Sequence, residues 1–408
     1  MKKTVLALVL LAASTARADD TSLFAGEQCA EKVLSGLGSA IDATDVFALS
    51  GVDPTLGRGC EPAELARALE KLGFVSPLAR AKTNDELWTE LLADLEKGRP
   101  SALHLSSGWR LVRAADKEGL KKDELVSALT SPTRVRFEVP ATLGERPAKV
   151  SPSARALAAH CHGLRKKIPE NWTVVIERPF VVTGDGNVKR SARSTVAWSV
   201  KLLKAEYFAK DPDEIITIWL FDGKESYESN TQKFFKEDPG TPYGYYSPKH
   251  KALIMNIATG GGTLVHEIVH PFVRANFPEC PSWFNEGLAS LYEQCGEEDG
   301  RIHGYTNWRL AGLQKAIKKG GLTSFEDLSK TTSNQFYGDD KGTNYAQARY
   351  LCYYLQQNKL LQDYWKTWVK DQKDDPTGYK SLKKVLKEED MKAFQERWEK
   401  WVLTLTYP

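Results

Sequence analysis

Two histidines four residues apart, His266 and His270, enclose Glu267 in the run His-Glu-Ile-Val-His. Positions i and i+4 share a helix face about one turn apart, so both imidazoles can reach one metal ion. Glu267, beside the first histidine, is then free to hold a water next to that ion. A site that keeps one coordination position open needs a third protein ligand, and Glu286 offers it downstream, in Trp-Phe-Asn-Glu-Gly-Leu-Ala at 283–289. The expected ion is zinc, and the expected chemistry is hydrolysis. Zinc lowers the pKa of a bound water toward about 7, and Glu267 takes its proton as general base before passing it to the leaving group. If these were ordinary core residues, two His and two Glu would each need a partner, at about 1–3 kcal/mol for every unsatisfied group. One ion satisfies three of them at once.

The elements that must position these residues can be read from the surrounding periodicity. Gly260-Gly261-Gly262 precedes the histidine helix, and Lys251 to Ile257 before it reads as a strand. Ile215 to Phe221 is a β-branched and aromatic run expected to form a buried strand, and Thr173 to Thr183 a strand closed by Gly184-Asp185-Gly186. Helices are expected over Ser191–Lys210 and Ser226–Phe235. A strand lying alongside the metal could bind an extended peptide by edge pairing. Beyond Gly300 the pattern is mainly helical, over Asn307–Lys319, Phe325–Ser329, Thr343–Asn358, Leu361–Asp371 and Asp390–Thr404. Trp365, Trp368, Trp398 and Trp401 fall three apart within two of these helices, which suits packing between helices.

From about Val174 to Leu360 the chain resembles the gluzincin-type zinc metallopeptidases of the peptidase-MA-like group. The resemblance rests on His266-Glu267-Ile268-Val269-His270 followed by Asn285-Glu286-Gly287-Leu288-Ala289. It implies that His266, His270 and Glu286 bind zinc, that Glu267 is the base, and that a tyrosine opening a downstream helix stabilises the oxyanion. Tyr345 is the best match for that tyrosine, with His303 as the alternative donor. Two departures stand out. Many relatives carry an acidic residue one turn after the third ligand to orient a histidine, where this chain has Ser290; Ser290, Asn285 or a backbone carbonyl would have to do that work. Aminopeptidases of the group carry a Gly-x-Met-Glu-Asn type segment that anchors a free amino terminus, and Lys251 to Gly260 here contains no Glu. An endopeptidase is therefore expected over an aminopeptidase, with a peptide or protein as substrate.

Residues 1–18, with Lys2-Lys3, an apolar run and Ala-Arg-Ala, read as a signal peptide cleaved after Ala18, which implies a bacterial periplasmic or secreted protein. No later stretch reaches transmembrane length. A net charge of +3, with Lys and Glu interspersed, gives no basic stripe for nucleic acid. Six cysteines in an exported chain suggest disulfides, with Cys29–Cys60 and Cys280–Cys295 as the local pairs. Residues 19–140 read as a small α/β domain, with helices over Glu27–Ile41, Pro62–Leu72 and Asn84–Lys97 and strands over Ser101–Leu105 and Trp109–Ala114. This part weakly resembles papain-like cysteine peptidases of the bacteriocin-processing type, through Gln28-Cys29 and Gly-Arg-Pro-Ser-Ala-Leu-His-Leu at 98–105. Its chemistry reads as broken: Gly108-Trp109 stands where the base His belongs, and His104 reads as a packed strand residue. The His160-Cys161-His162 cluster cannot share one ion well, because adjacent helical residues point about 100° apart. A Pro, Ser and Ala-rich linker is placed at 141–153, and the metal domain at 154–408. The whole is expected to be α+β: a small mixed sheet packed on the metal-site helix, a mainly helical C-terminal lobe from about residue 300, and the separate N-terminal domain. A binding or scaffolding protein that keeps the peptidase fold is the alternative reading.

Overall fold

The computed structural model describes residues 23–338 and 342–408, which divide into two units between Ile168 and Pro169. The signal segment lies outside the described residues. The fold is α+β, with helices predominating.

The first unit contains helices α1 (Ala25–Gly36), α2 (Ala43–Ser50), α3 (Pro62–Lys71), α4 (Asn84–Glu96), α5 (Lys122–Ala128) and α6 (Ala154–Arg165). Its sheet has the order β1 (Leu78–Arg80), β4 (Leu129–Arg136), β2 (Ser101–Leu105), β3 (Gly108–Val112), all antiparallel. Pro62 opens α3 in its first turn, where no amide hydrogen is needed, and Glu61 and Glu64 form a capping box. The Leu87, Leu91 and Leu95 stripe of α4 is buried as its spacing demands. Strand β4 escapes a periodicity reading because it contains Pro132 and a buried Arg134. That arginine is tolerated because it pairs with Asp94 and with Glu90, at 3.1 Å from the latter. The boundary falls later than the 141–153 stretch. Helix α6 belongs to the first unit, where Ala158 joins the core and His162 Nδ1 donates to Gly57 O at 2.9 Å.

The second unit is built on a five-stranded mixed sheet in the order β5 (Thr173–Glu177), β6 (Phe180–Gly184), β7 (Ile216–Phe221), β9 (Ala252–Asn256), β8 (Gly244–Ser247). The two central pairings are parallel and the two outer ones antiparallel. The single strand expected over Thr173–Thr183 is thus a hairpin. Pro179 has no amide hydrogen for the ladder, so the chain turns at Arg178-Pro179. The expected helix from Ser191 is also interrupted: α7 (Val188–Ser191) runs into a π-helical turn at Ala192–Ala197 before α8 (Trp198–Glu206). After β7 comes α9 (Lys224–Phe235), and after β9 come α10 (Gly262–Asn276) and α11 (Ser282–Leu291). A short hairpin, β10 (Cys295–Glu298) with β11 (Arg301–Gly304), leads to the helical remainder. That remainder comprises α12 (Arg309–Lys318), α13 (Phe325–Ser329), α14 (Ser333–Gly338), α15 (Thr343–Gln357), α16 (Leu361–Asp371), α17 (Tyr379–Leu386) and α18 (Met391–Thr404).

One continuous core joins the sheet, through Ile218, Leu220, Leu253 and Met255, to the apolar face of α10, through Leu264, Ile268, Val269 and Phe272. On the other side, Phe284 and Leu288 of α11 pack into the helical remainder. Trp368 stacks on Trp283 at 5.6 Å and Trp365 on Phe284 at 6.1 Å, so the tryptophans of α16 brace the helix that carries Glu286. Gly287 lets α11 and α15 approach closely: a Cβ there would lie 3.1 Å from the Ala348 backbone.

All six cysteines are free thiols, which corrects the expected bridges. Cys29, Cys60, Cys161 and Cys352 are buried as small apolar residues. Among the described residues no helix is long and apolar enough to cross a membrane.

Candidate metal centre

Helix α10 presents His266 and His270 one turn apart, with ring centroids 4.9 Å apart, and α11 delivers Glu286 between them. His266 Nε2 lies 3.4 Å from Glu286 Oε2 and His270 Nε2 3.8 Å from Glu286 Oε1. One donor atom from each residue falls within 4.8 Å of the other two, close enough to share an ion. The run Gly260–Gly262 has a steric reason. A Cβ on Gly262 would lie 2.0 Å from the Glu293 carbonyl oxygen, so only glycine lets the start of α10 pass beside Glu293. Pro271 sits inside α10 immediately after His270. Lacking an amide hydrogen, it cannot make the helical bond to the carbonyl of Glu267 four residues back.

The far side of each imidazole is also provided for. His270 Nδ1 lies 3.0 Å from Asn285 Oδ1, and because that oxygen only accepts, Nδ1 carries the proton. The neutral ring then keeps its Nε2 lone pair for an ion. His266 Nδ1 faces Glu293 Oε1 at 3.4 Å and has no well-aligned hydrogen bond of its own. Glu293 is itself held firmly. Its Oε2 accepts from Asn307 Nδ2 and from Arg309 Nε, both at 3.0 Å, and its Oε1 accepts from Arg309 Nη2 at 2.8 Å. The acidic residue that faces His266 is thus Glu293, seven residues after Glu286, and not residue 290. Ser290 is buried, and its hydroxyl has no partner. The i+7 spacing was the available signal, but Glu293 lies beyond the end of α11, where helical spacing is a poor guide.

Electrostatics make the donor set fit a divalent cation. Burial tends to raise the Glu286 and Glu293 carboxyls, but hydrogen bonds and charge from His266, joined by Arg309 at Glu293, hold both down at about 2. Burial tends to lower His266, yet Glu286 and Glu293 raise it to about 10. Glu267 is pushed upward by burial, against the pull of the two histidines. Three carboxylates thus converge on the imidazole pair and call for positive charge between them. A divalent ion meets that need while leaving both imidazoles neutral, the form in which histidine is a ligand.

The centre opens onto a cleft of about 720 Å³, lined by His266 and Glu267. Tyr345, at the start of α15, also lines it, with the Arg309 guanidinium over its ring at 5.2 Å. A second tyrosine was not foreseen: Tyr337 of α14 donates its hydroxyl to Glu286 Oε1 at 2.7 Å. Its ring is 6.1 Å from that of Tyr345. It stands 51 residues beyond Glu286 in chain order, in no recognisable motif, and only the packing of α14 brings it to that carboxylate. His303 is elsewhere. Its Nε2 lies 3.2 Å from the side-chain amides of Gln356 and Gln357, in a separate cavity of about 450 Å³.

In the first unit, burial pushes the Cys29 thiol up to about 11, the reverse of what a thiolate nucleophile requires. His104 stacks on Trp109 at 5.0 Å, within the β2–β3 pairing. No protein-family model matches the chain, and no curated protein matches it.

Proposed function

We propose that the second unit is a zinc-dependent peptidase of gluzincin type, acting within polypeptide chains, in a protein exported to the periplasm or beyond. The observation that carries this reading is the convergence of His266, His270 and Glu286 within 4.8 Å, with Glu267 beside them on the cleft. A zinc ion held by those three residues would supply a Lewis acid that makes water nucleophilic near neutral pH and polarises the scissile carbonyl.

The chain's own residues do the remainder. Glu267, not needed as a ligand and partly accessible from the cleft, takes a proton from the attacking water and returns it to the leaving nitrogen. Its half-enclosed setting raises its proton affinity, which suits a group that must both accept and donate. Asn285 orients the His270 imidazole, and Glu293 places a carboxylate opposite His266 Nδ1. Tyr345, on the cleft wall, is the proposed donor to the developing oxyanion, while Tyr337 steadies Glu286. Strand β8 is the last strand of its sheet, and Gly244 at its start lines the cleft. Its outer edge can pair with the backbone of an extended substrate.

Metal analysis of the purified chain, followed by peptide cleavage with and without chelator and with Glu267→Gln, tests the proposal. Stoichiometric zinc with chelator-sensitive cleavage that Glu267→Gln abolishes supports it. Bound zinc with no cleavage of any peptide in a broad library would favour the binding or scaffolding alternative.

A further inference from the structure

Trp308 is 52% exposed and Tyr243 is 53% exposed, and both line the cleft that holds His266 and Glu267. A single exposed aromatic needs no explanation, but these two share one cleft wall with Trp198 and Tyr345, and such a cluster marks an interaction site. Trp308 is not a loose surface residue. Its neighbour Asn307 is fully buried and donates to Glu293 from its side chain and to Tyr350 from its backbone at 3.1 Å. Its other neighbour, Arg309, makes two further bonds to the same Glu293. The backbone that carries Trp308 is thus anchored on both sides to the carboxylate that faces His266, and the Arg309 guanidinium lies over the indole at 5.7 Å. Trp198 is similarly held, donating from Nε1 to Glu297 at 2.9 Å. Rigid aromatic side chains that lose little freedom on binding are what a recognition surface needs.

The charge lining the cleft points the same way. Among the described residues that line it, the charged groups apart from Glu267 and the histidine are Glu293 and Arg309, and these neutralise each other at 2.8 Å. Glu267 aside, the described lining residues leave no unpaired carboxylate for a free α-ammonium and no unpaired cation for a terminal carboxylate or an acidic side chain.

We propose that the cleft selects uncharged interior segments of a polypeptide carrying an aromatic or large aliphatic side chain next to the scissile bond, with Trp308 and Tyr243 as the specificity-determining contacts. This rests on the peptidase reading of the same centre. Burying a phenylalanine side chain against such a surface is worth roughly ten- to a hundredfold in affinity.

The test uses the full exported chain carrying Glu267→Gln, loaded with zinc, so that binding is read without turnover. Peptides of one length, acetylated and amidated at their ends, differ only in a central Phe, Asp or Lys, and their affinities are measured by calorimetry. The Phe peptide is expected to bind at least about tenfold more tightly than the other two. Trp308→Ala and Tyr243→Ala should each cut that ratio several-fold with zinc content unchanged. Equal affinities for the three peptides, a discrimination that survives both variants, or tighter binding of a neutral oligosaccharide than of the Phe peptide would overturn the inference. Failure of the peptidase reading shows separately, as wild-type protein that binds the Phe peptide selectively but cleaves none of the set.

Discussion

Replacing Glu293 by glutamine tests whether the residue behind His266 governs the metal site. The substitution keeps the shape but removes the charge from a side chain that is 9% exposed and receives three hydrogen bonds, two of them from Arg309. Two consequences follow. The amide presents one acceptor in place of two, so one Arg309 bond is lost in either orientation, together with the Asn307 bond in one and the face toward His266 in the other, and the Arg309 guanidinium keeps its charge in a largely enclosed position. Breaking a buried pair from one side costs about 3–5 kcal/mol; because Arg309 retains some exposure, about 2–3 kcal/mol is the reasonable expectation here. At the metal, loss of the carboxylate that orients a histidine ligand typically lowers affinity about 10–100-fold. Competition against a chromophoric chelator reads the second effect, and thermal melts with and without zinc read the first. The double variant Glu293→Gln with Arg309→Gln, which leaves no orphaned charge, should recover part of the stability but none of the zinc affinity. A folded Glu293→Gln protein with wild-type zinc affinity would refute the assignment.

Other expectations follow from single contacts. Tyr337→Phe removes the hydroxyl that donates to Glu286 at 2.7 Å; about 1 kcal/mol of support for that ligand should disappear, seen as a less than tenfold fall in zinc affinity with little change in melting temperature. Gly262→Ala places a methyl group 2.0 Å from the Glu293 carbonyl oxygen and should destabilise by roughly 1–3 kcal/mol or more, with zinc affinity falling because Glu293 must move; an unchanged melting temperature would contradict the close approach. In the first unit, burial lowers His160 to about 4 from an ordinary value near 6.5. The unfolded chain therefore binds a proton at higher pH than the folded one. Stability should be unaffected above about pH 6.5 and decline as pH falls toward 4, by up to about 3 kcal/mol, and a His160→Gln variant should show a shallower decline in urea melts.

Much of the centre was legible because its chemistry imposes local spacing. His266, Glu267 and His270 fall on one helix, and Glu286, which completes the group that could hold an ion, falls on the next helix before a glycine. The chain's long-range choices left no such mark. Glu293 lies past a helix end, and Tyr337 arrives from an element far along the sequence. The sheet was partly readable: Ile216–Phe221 and Ala252–Asn256 are apolar runs suited to its buried middle, whereas Pro179 hid a hairpin inside one apolar stretch. The π-helical turn at Ala192–Ala197 leaves a helix-like pattern in sequence and shows only in the backbone. Cysteine pairing was read from compartment and proximity in sequence, and neither sets the geometry that a bridge requires.

The central claim is that His266, His270 and Glu286 form one zinc site beside a catalytic Glu267. Its most direct test is metal content and peptide cleavage measured together on wild-type, His270→Ala and Glu267→Gln proteins. The account requires one zinc per chain and cleavage in the wild type, loss of both in His270→Ala, and retained zinc without cleavage in Glu267→Gln. Full zinc content in His270→Ala, or undiminished cleavage by Glu267→Gln, would contradict it.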